Sequence, residues 1–350
     1  MTDYRINKKN NDTNNTMEEK TMKRENIYEV LENDIMNAGL KDEEKNRMLK
    51  NVMRLKERKV NIMITGATGC GKSSTINALF DTEVAKVGVG ADPETMDIQK
   101  YELDNLILWD TPGLGDGKEA DNRHARNIID KLAEVDKDGN AVIDLVLVIL
   151  DGGTRDLGTS YELINEVIIP NLGENKSERI LVAINQADMA MKGRYWDYGK
   201  NEPMSELKEF LDKKVVSVRS RIKETTGVEV NPIYYSAGYK EEGMIQSVPY
   251  NLSKLLYYIV KATPKEKRIV FCNNINRDQE VWKSDDKLMD YNRETKKSII
   301  ESVRDGMETG GDIGEMIAGK PGKVVGTIIG AVGGFIGGII GGIFGEKSRQ

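Results

Sequence analysis

The chain has very few of the residues that metal centres and many nucleophilic active sites use. Its 350 residues include one histidine, His124, and two cysteines, Cys70 and Cys272. So few leave no ligand set for a structural zinc, no histidine-based triad and no disulfide framework. Two cysteines without an N-terminal signal pattern predict a reducing, cytoplasmic setting.

The chain also lacks an excess of positive charge. Lysine and arginine number 51 against 57 aspartates and glutamates, a formal net charge of -6. Nucleic-acid binding depends largely on cationic side chains that neutralise phosphates. We therefore predict no DNA partner and disfavour an RNA partner. Hydrophobic residues make up 39% of the chain, which predicts one sizeable core with extensions.

Composition and apolar spacing divide the chain into five segments. Residues 1–25 are polar, and we predict a disordered arm because they cannot bury enough apolar surface to offset ordering. In 26–57 apolar residues recur at steps of three and four, which predicts a helical extension. Residues 58–264 alternate short apolar runs with helical patterns, 265–310 return to a charged helical pattern, and 311–350 form a glycine-rich tail.

The alternation in 58–264 is typical of an α/β fold with a doubly wound, mostly parallel sheet. The predicted strands are Val60–Thr65, Asp97–Leu103, Leu106–Trp109, Leu145–Leu150, Ile180–Ile184 and Pro232–Tyr235. The predicted helices are Lys72–Phe80, Arg123–Leu132, Ser160–Ile169, Glu206–Lys223 and Leu252–Ala262.

A candidate phosphate-binding loop follows the first predicted strand. The segment GATGCGKS, from Gly66 to Ser73, fits the pattern G-x-x-x-x-G-K-[ST] between a strand and a helix. Glycines let backbone N–H groups point at phosphate oxygens, and the helix N-terminus adds partial positive charge. Lys72 is expected to reach the outer phosphates and the Ser73 hydroxyl to ligate Mg²⁺. The alternative is a glycine-rich turn capped by serine.

A second motif, DTPG, follows the third predicted strand. Its Asp110 lies at the carboxyl end of that strand, where it can hold a water on Mg²⁺. The N–H of Gly113 is then expected to meet the γ-phosphate. Taken alone, the same tetrapeptide also fits a turn with proline at its second position.

Two further segments predict a guanine pocket. NQAD ends another apolar strand, and its Asp188 can accept hydrogen bonds from guanine N1–H and the exocyclic amine, while Asn185 braces the loops. Adenine offers no such donor pair. Ser236 and Ala237 follow the last predicted strand and close the pocket, with the Ala237 N–H meeting guanine O6.

The order of these motifs resembles the Era-like, translation-factor-related GTPases of bacteria. The resemblance rests on GATGCGKS, Thr95, DTPG, NQAD and SAG, and it spans roughly Val60 to Thr263. It implies GTP and GDP as ligands, Mg²⁺ as the metal and GTP hydrolysis as the activity. It also implies that Thr95 closes on Mg²⁺ when the γ-phosphate is present, with Thr82 as the weaker candidate. The predicted catalytic residues are Lys72, Thr95 and Gly113, the metal ligands Ser73, Thr95 and Asp110, and the nucleotide contacts Gly66, Thr68, Gly69, Gly71, Lys72, Ser73, Ser74, Asn185, Gln186, Asp188, Ser236 and Ala237.

The sequence departs from that family at two positions. Gln186 stands where lysine is commonest, which predicts weaker affinity or selectivity for guanine. Leu114 stands where Ras-type proteins place the glutamine that orients the attacking water, so turnover is expected to be slow. Asp116, Asp121 and His124 either substitute for that glutamine or are solvated loop residues.

The tail contains 22 uncharged residues, 324–345, with glycine at every fourth position from Gly326 to Gly342. As a helix it would span about 33 Å, enough to cross a bilayer core. Glycines at this spacing make a flat face on which helices pack closely. The tail is predicted to contact a membrane, to oligomerise or dock on the core, or to be a flexible linker. These alternatives place the protein in the cytoplasm or at the inner membrane.

The sequence therefore predicts a GTP-dependent switch whose nucleotide state controls membrane association or self-assembly through the tail. A structural or membrane-active oligomer gated by GTP is one alternative. A ribosome-associated assembly GTPase is another, and the acidic charge disfavours it.

Overall fold

The computed structural model describes residues 26–80, 97–113, 117–238, 248–308 and 320–340. The strands are β1 (Val60–Gly66), β2 (Gln99–Leu103), β3 (Leu106–Asp110), β4 (Leu145–Asp151), β5 (Ile180–Asn185), β6 (Trp196–Asp197), β7 (Glu202–Pro203) and β8 (Ile233–Tyr234). The helices are α1 (Ile27–Asn37), α2 (Asp42–Lys56), α3 (Lys72–Phe80), α4 (Lys118–Ala133), α5 (Gly158–Glu162), α6 (Ile169–Asn171), α7 (Ser205–Thr226), α8 (Leu252–Ala262), α9 (Tyr291–Glu308) and α10 (Lys320–Ile340). A π-helical segment (Leu163–Ile168) joins α5 to α6, and 3₁₀ segments cover Ala187–Gly193, Lys265–Asn273 and Gln279–Trp282.

A six-stranded sheet in the order β2-β3-β1-β4-β5-β8 lies at the centre. The strands β3, β1, β4, β5 and β8 pair in parallel, whereas β2 is antiparallel to β3. The chain winds outward in both directions from β1, which lies between β3 and β4. In such sheets ligands bind outside the carboxyl ends of the strands where the winding direction changes. The predicted doubly wound, mostly parallel sheet is confirmed.

Helices cover both faces of the sheet, which explains the nearly continuous apolar runs of its central strands. Ile62 and Ile64 of β1 join the cluster that includes α3 and α8. Met63, between them, joins the opposite cluster, which includes α4 and α7. Successive side chains of β1 are thus buried on opposite faces of the sheet. Polar groups that could bind a ligand are therefore expected at the ends of the strands.

The helical extensions pack on the face covered by α3 and α8. Leu31 of α1, Val52 of α2 and Val303 of α9 are fully buried in one cluster with that face. The side-chain amide of Asn51 donates to the Met307 carbonyl at 3.0 Å, which joins α2 to α9. The predicted helical extensions are confirmed, while the boundaries between the five predicted segments stay predictions.

Helix α10 packs against α1 and α9 with its branched apolar side chains inward. Ile328, Val332 and Ile336 are fully buried. The glycines of the predicted packing face point outward, and a Cβ added to any of them would meet no atom within 4 Å: Gly326, Gly330, Gly334 and Gly338. Close packing through this row is therefore not seen within 320–340. Branched side chains bury more apolar surface than glycine, so they determine which face docks.

Two other glycines of α10, Gly333 and Gly337, lie against Lys296 of α9. A Cβ on Gly333 would be 3.3 Å from Cε of Lys296, and a Cβ on Gly337 would be 3.1 Å from its Nζ. Among the described helices, none combines the length and the apolar character needed to cross a membrane. The predicted membrane segment extends past the end of α10, and its residues 341–345 lie outside the described part of the chain.

Candidate nucleotide site

The loop between β1 and α3 needs glycine at several positions. Gly66, Gly69 and Gly71 have φ angles of 151°, 77° and 89°. Side chains are strained at positive φ because Cβ crowds the backbone. Space is limited as well, since a Cβ on Gly66 would lie 2.2 Å from the Ile149 carbonyl oxygen, and one on Gly71 would lie 2.2 Å from Nδ2 of Asn185. Such a backbone directs N–H groups toward an anion.

Lys72 begins α3 and folds back over this loop. Its Nζ donates to the carbonyl oxygens of Gly66 and Ala67, both at 3.3 Å. Ser73 and Ser74 follow in the first turn of α3, where backbone N–H groups have no intrahelical acceptor. A phosphate that drew the Lys72 ammonium away would break only two long hydrogen bonds. The predicted phosphate contacts are thus brought together at one helix N-terminus.

Asp110 ends β3 next to this loop, in register with Ile64 of β1. The residue is 2% exposed, and within the described segments its Oδ1 has no hydrogen-bond partner. Burial raises the pKa of this carboxyl to about 6, although the Lys72 ammonium acts in the opposite direction. An unpartnered buried carboxylate is unfavourable, and a hard cation or its bound water would supply the missing interaction. Asp110 and Ser73 therefore fit a Mg²⁺ site by donor type.

Gly113 lies directly against the phosphate-binding loop. A Cβ at this position would be 2.3 Å from Oγ1 and 2.6 Å from the backbone N of Thr68, so glycine alone fits. The DTPG backbone thus touches the phosphate-binding loop, and its contact with the γ-phosphate stays a prediction. Thr95 and Leu114 lie outside the described residues, as do Thr82 and Asp116. The roles predicted for them stay predictions.

Asn185 joins the base side of the site to the phosphate side. Its Nδ2 donates to the Cys70 carbonyl at 2.9 Å, and its Oδ1 accepts from the Ala237 N–H at 3.0 Å. These two hydrogen bonds join the end of β5 to the phosphate-binding loop and to the segment after β8. Gln186 follows in the left-handed region, with φ of 58°, and its Nε2 donates to the Gly69 carbonyl at 2.9 Å. Glutamine thus provides a contact between the two loops, but without the charge of lysine.

The remaining base-side residues lie near Asn185, with one difference from expectation. Asp188 is half-buried in the 3₁₀ turn after β5, and Ser236 is 4% exposed, with its Oγ accepting from the Gly238 N–H at 3.3 Å. The Ala237 N–H, which we expect to meet guanine O6, instead donates to Asn185. Contact with guanine therefore requires that hydrogen bond to be shared or broken. The amide is engaged because the Asn185 oxygen, which is also buried, needs a donor.

Lys214 supports the site, and motif reasoning misses it. From α7 its Nζ donates to the carbonyls of Asp151, Gly152 and Thr154, at 3.1, 2.8 and 2.7 Å. The Gly152 N–H in turn donates to the Asn185 carbonyl at 2.7 Å. Lys214 thus holds the loop after β4 against the base-side strand. No sequence pattern signals this contact, because it joins segments far apart in the chain.

Cys70 lies inside the phosphate-binding loop, beside a helix N-terminus, a position that lowers the pKa of an accessible thiol. The side chain is fully buried, and burial raises the pKa of the thiol to about 11 even though Lys72 is near. The thiol is therefore protonated at neutral pH, and packing is its role here.

Residues 61–186 match a family model described as "50S ribosome-binding GTPase". The chain carries a P-loop GTPase domain. The loop, Asp110 and Asn185 described above all lie within the matched segment. Domains of this class bind GTP or GDP together with Mg²⁺.

Parts of the chain are also similar to known proteins. The chain is 31% identical to the Escherichia coli K12 protein YfjP over 173 residues, which are 48% of this chain and 55% of that protein. It is 29% identical to YkfA of the same strain over 147 residues, 41% of this chain and 47% of that protein. Toc33 from Arabidopsis thaliana, solved with Mg²⁺ and GMPPNP, is 15% identical with a TM-score of 0.38, over 58% of this chain and 82% of that chain. The chain spans about half the length of the curated relatives it matches.

Proposed function

We propose that this protein binds GTP with Mg²⁺ and hydrolyses it slowly. The observation that carries the proposal is the buried Asp110 oxygen, which lacks a partner in the described segments and lies beside a glycine loop shaped for phosphate. In this proposal Lys72 neutralises the outer phosphates, Ser73 and Asp110 hold Mg²⁺, and Gly113 contacts the γ-phosphate. Turnover is slow because Leu114 cannot orient the attacking water.

Preference for guanine rests on the base side of the site. Asp188 follows β5, and its carboxylate can accept from both guanine donors, whereas adenine lacks that donor pair. Asn185 links this side to the phosphate-binding loop through Cys70, so base and phosphates are bound on one connected backbone. ATP is therefore expected to bind much more weakly than GTP.

The second part of the proposal is that nucleotide state controls the docking of α10. A connector, residues 273–282, supports it, because this segment holds the end of α3. The backbone N of Asn276 donates to the Leu79 carbonyl, and its Nδ2 donates to the Ala78 carbonyl, both at 2.9 Å. Helix α3 begins at the phosphate-binding loop, and its last carbonyls are thus capped from outside the site.

The same connector also contacts α10. Gln279 donates from Nε2 to the Gly338 carbonyl at 2.8 Å, and the Arg277 guanidinium lies 5.8 Å from the centre of the Phe335 ring. A shift of α3 on binding GTP would therefore act on α10 through a few named contacts. We propose that undocked α10 presents its apolar face to a membrane surface or to a second copy of the chain.

Two other functions of this protein are alternatives to the proposed switch, and the experiments below can distinguish them. In the first, the GTPase domain acts only as a gate for a structural or membrane-active oligomer, and assembly rather than turnover is the output. The description of the matching family model supports a ribosome-associated role, against which the net charge of -6 argues. Salt-sensitive co-sedimentation with 50S ribosomal subunits would favour that role.

Turnover of GTP and ATP tests the enzymatic part. We expect phosphate release from GTP in Mg²⁺ and little from ATP, with loss of activity in EDTA and in Lys72→Ala. Lys208→Ala, which removes an exposed lysine paired with Asp212, is the matched control and should retain full activity. Equal turnover by Lys72→Ala and the unaltered protein would contradict the proposed site.

Thiol labelling tests the tail. Ile336 is fully buried, whereas Gly334, two positions earlier, faces outward, and both native cysteines are buried. We expect Ile336→Cys to be labelled faster with a GTP analogue than with GDP, while Gly334→Cys is labelled at one rate in both. If Ile336→Cys is labelled at the same rate with the GTP analogue and with GDP, the proposed control of α10 by nucleotide is wrong. The proposed GTP hydrolysis is unaffected by that result. Flotation with liposomes and sedimentation without lipid then separate membrane contact from self-assembly.

A further inference from the structure

The lone histidine of the chain is buried against the DTPG backbone. His124 lies on the inner face of α4 together with Ile128 and Leu132, and it is 2% exposed. Its Nδ1 is 3.3 Å from the Gly113 carbonyl oxygen. The reading of His124 as a solvated loop residue is therefore wrong, since the residue is helical and buried.

The chemistry of this contact fixes the form of the imidazole. A carbonyl oxygen only accepts, so Nδ1 must carry the proton and donate it to Gly113. In the neutral ring Nε2 is then an acceptor, and it is buried without a hydrogen-bond partner among the described residues. An apolar side chain would fill this position without burying an unused polar atom. Packing of α4 alone therefore gives no reason for a histidine here, whereas the bond to Gly113 does.

Gly113 is thereby held from two sides. On one side it lies so close to Thr68 of the phosphate-binding loop that no Cβ fits. On the other side His124 holds its carbonyl. The carbonyl and the N–H of Gly113 belong to adjacent peptide groups that meet at its Cα. Contacts on the Cα and on the carbonyl therefore restrict the backbone that carries the N–H before the nucleotide arrives, and preorganised donors are the ones that contribute most to binding a developing charge.

We propose that His124 is a positioning residue that sets the Gly113 backbone for the γ-phosphate of GTP. The inference rests on the proposed function, because it assumes that Gly113 contacts that phosphate. His124 touches neither substrate nor Mg²⁺ in this assignment and acts only through Gly113. GDP has no γ-phosphate, so the contribution of His124 appears in the binding and turnover of GTP and is absent from the binding of GDP.

Three substitutions separate positioning from packing. His124→Leu fills the space and removes the donor. His124→Asn places an amide nitrogen on Cγ, the atom that bears Nδ1 in histidine, whereas His124→Gln places it one bond further out. We expect Leu and Gln to reduce affinity for GMPPNP and the turnover of GTP by about 3- to 12-fold, the effect of one hydrogen bond, with GDP affinity within about twofold of the unaltered protein. Asn should recover most of the loss.

Nitrogen NMR gives a readout that does not depend on activity. Because the chain contains one histidine, ¹⁵N-labelled imidazole in untagged protein gives a single set of ring signals. We expect the Nδ1–H tautomer; the Nε2–H tautomer would overturn the proposal whether or not any variant folds. It is also overturned if the ratio of GMPPNP to GDP affinity is unchanged in all three variants, or if Asn and Gln behave alike. If the unaltered protein neither binds GMPPNP nor turns over GTP, the proposed function itself fails, and this inference fails with it.

Discussion

Replacing Asp110 by asparagine is expected to remove a pH-dependent loss of stability from the protein without nucleotide or Mg²⁺. Burial raises the pKa of this carboxyl from its usual 3.8 to about 6. Between these two values the folded protein holds a proton that the unfolded chain has released. The stability contributed by Asp110 is therefore fully present below pH 3.8 and is lost as the pH rises through about 6. The full difference corresponds to about 3 kcal/mol, of which about 2 kcal/mol falls between pH of about 4.5 and about 7.5.

Urea unfolding in EDTA measures this effect at those two pH values. We compare the unaltered protein with Asp110→Asn, since every other titrating group is shared and cancels. The free energy of unfolding of the variant should gain about 2 kcal/mol on that of the unaltered protein as the pH rises. Asp212→Asn, which changes an exposed carboxylate, should show no such gain. A difference between Asp110→Asn and the unaltered protein that does not depend on pH would refute the reasoning.

Two further substitutions test the candidate site, and a third tests a buried ion pair at the amino end of β4. Gly71→Ala should weaken GDP binding by more than tenfold, because its Cβ would overlap Nδ2 of Asn185 at a φ of 89°; unchanged affinity in a fluorescent GDP titration would contradict this. Gln186→Lys should strengthen GDP binding about fivefold in the same titration, since a charged donor replaces a neutral one, and equal or weaker binding would count against it. Lys267→Met should lower the free energy of unfolding by about 3 kcal/mol, because it leaves the buried Asp144 carboxylate without its ion pair. Urea unfolding measures this loss, and a loss below about 1 kcal/mol would show that the ion pair contributes little to stability.

The sheet could be predicted because its strands are short and buried on both faces. Apolar runs bounded by glycine and polar residues gave Val60–Thr65 and Leu106–Trp109, and the observed strands extend one residue further, to Gly66 and Asp110. The α3 bounds agree with the prediction, since the helix starts at the loop motif. The small hairpin of β6 and β7 could not be predicted, because two-residue strands have no periodicity.

Motifs named the residues of the candidate site but not the contacts that support them. A motif specifies residue types at fixed spacing, and Gly71, Asp110 and Asn185 come together because parallel strands end at one edge of the sheet. The side-chain contacts of Lys214 and His124 come from helices that pack on the sheet, and their partners depend on tertiary packing. Spacing along the chain carries no information about such contacts.

The docked state of α10 limits what GTP alone can do to it. Burying Ile328, Val332 and Ile336 stabilises docking by up to about 1.5–3 kcal/mol for each side chain, less the entropy lost in ordering the helix. Coupling between a ligand and a distant element is typically about 1–3 kcal/mol. GTP should therefore loosen α10 rather than release it, and in the proposed function a membrane surface or a second copy then covers the exposed face. Labelling of Ile336→Cys should accordingly rise by about 5- to 150-fold with a GTP analogue, and its further response should identify the partner. If vesicles or higher protein concentration then protect the thiol, the apolar face binds that partner. If neither changes the rate, the loosened helix binds neither a membrane nor a second copy. If the GTP analogue itself does not raise the rate above that with GDP, α10 is a fixed part of the fold.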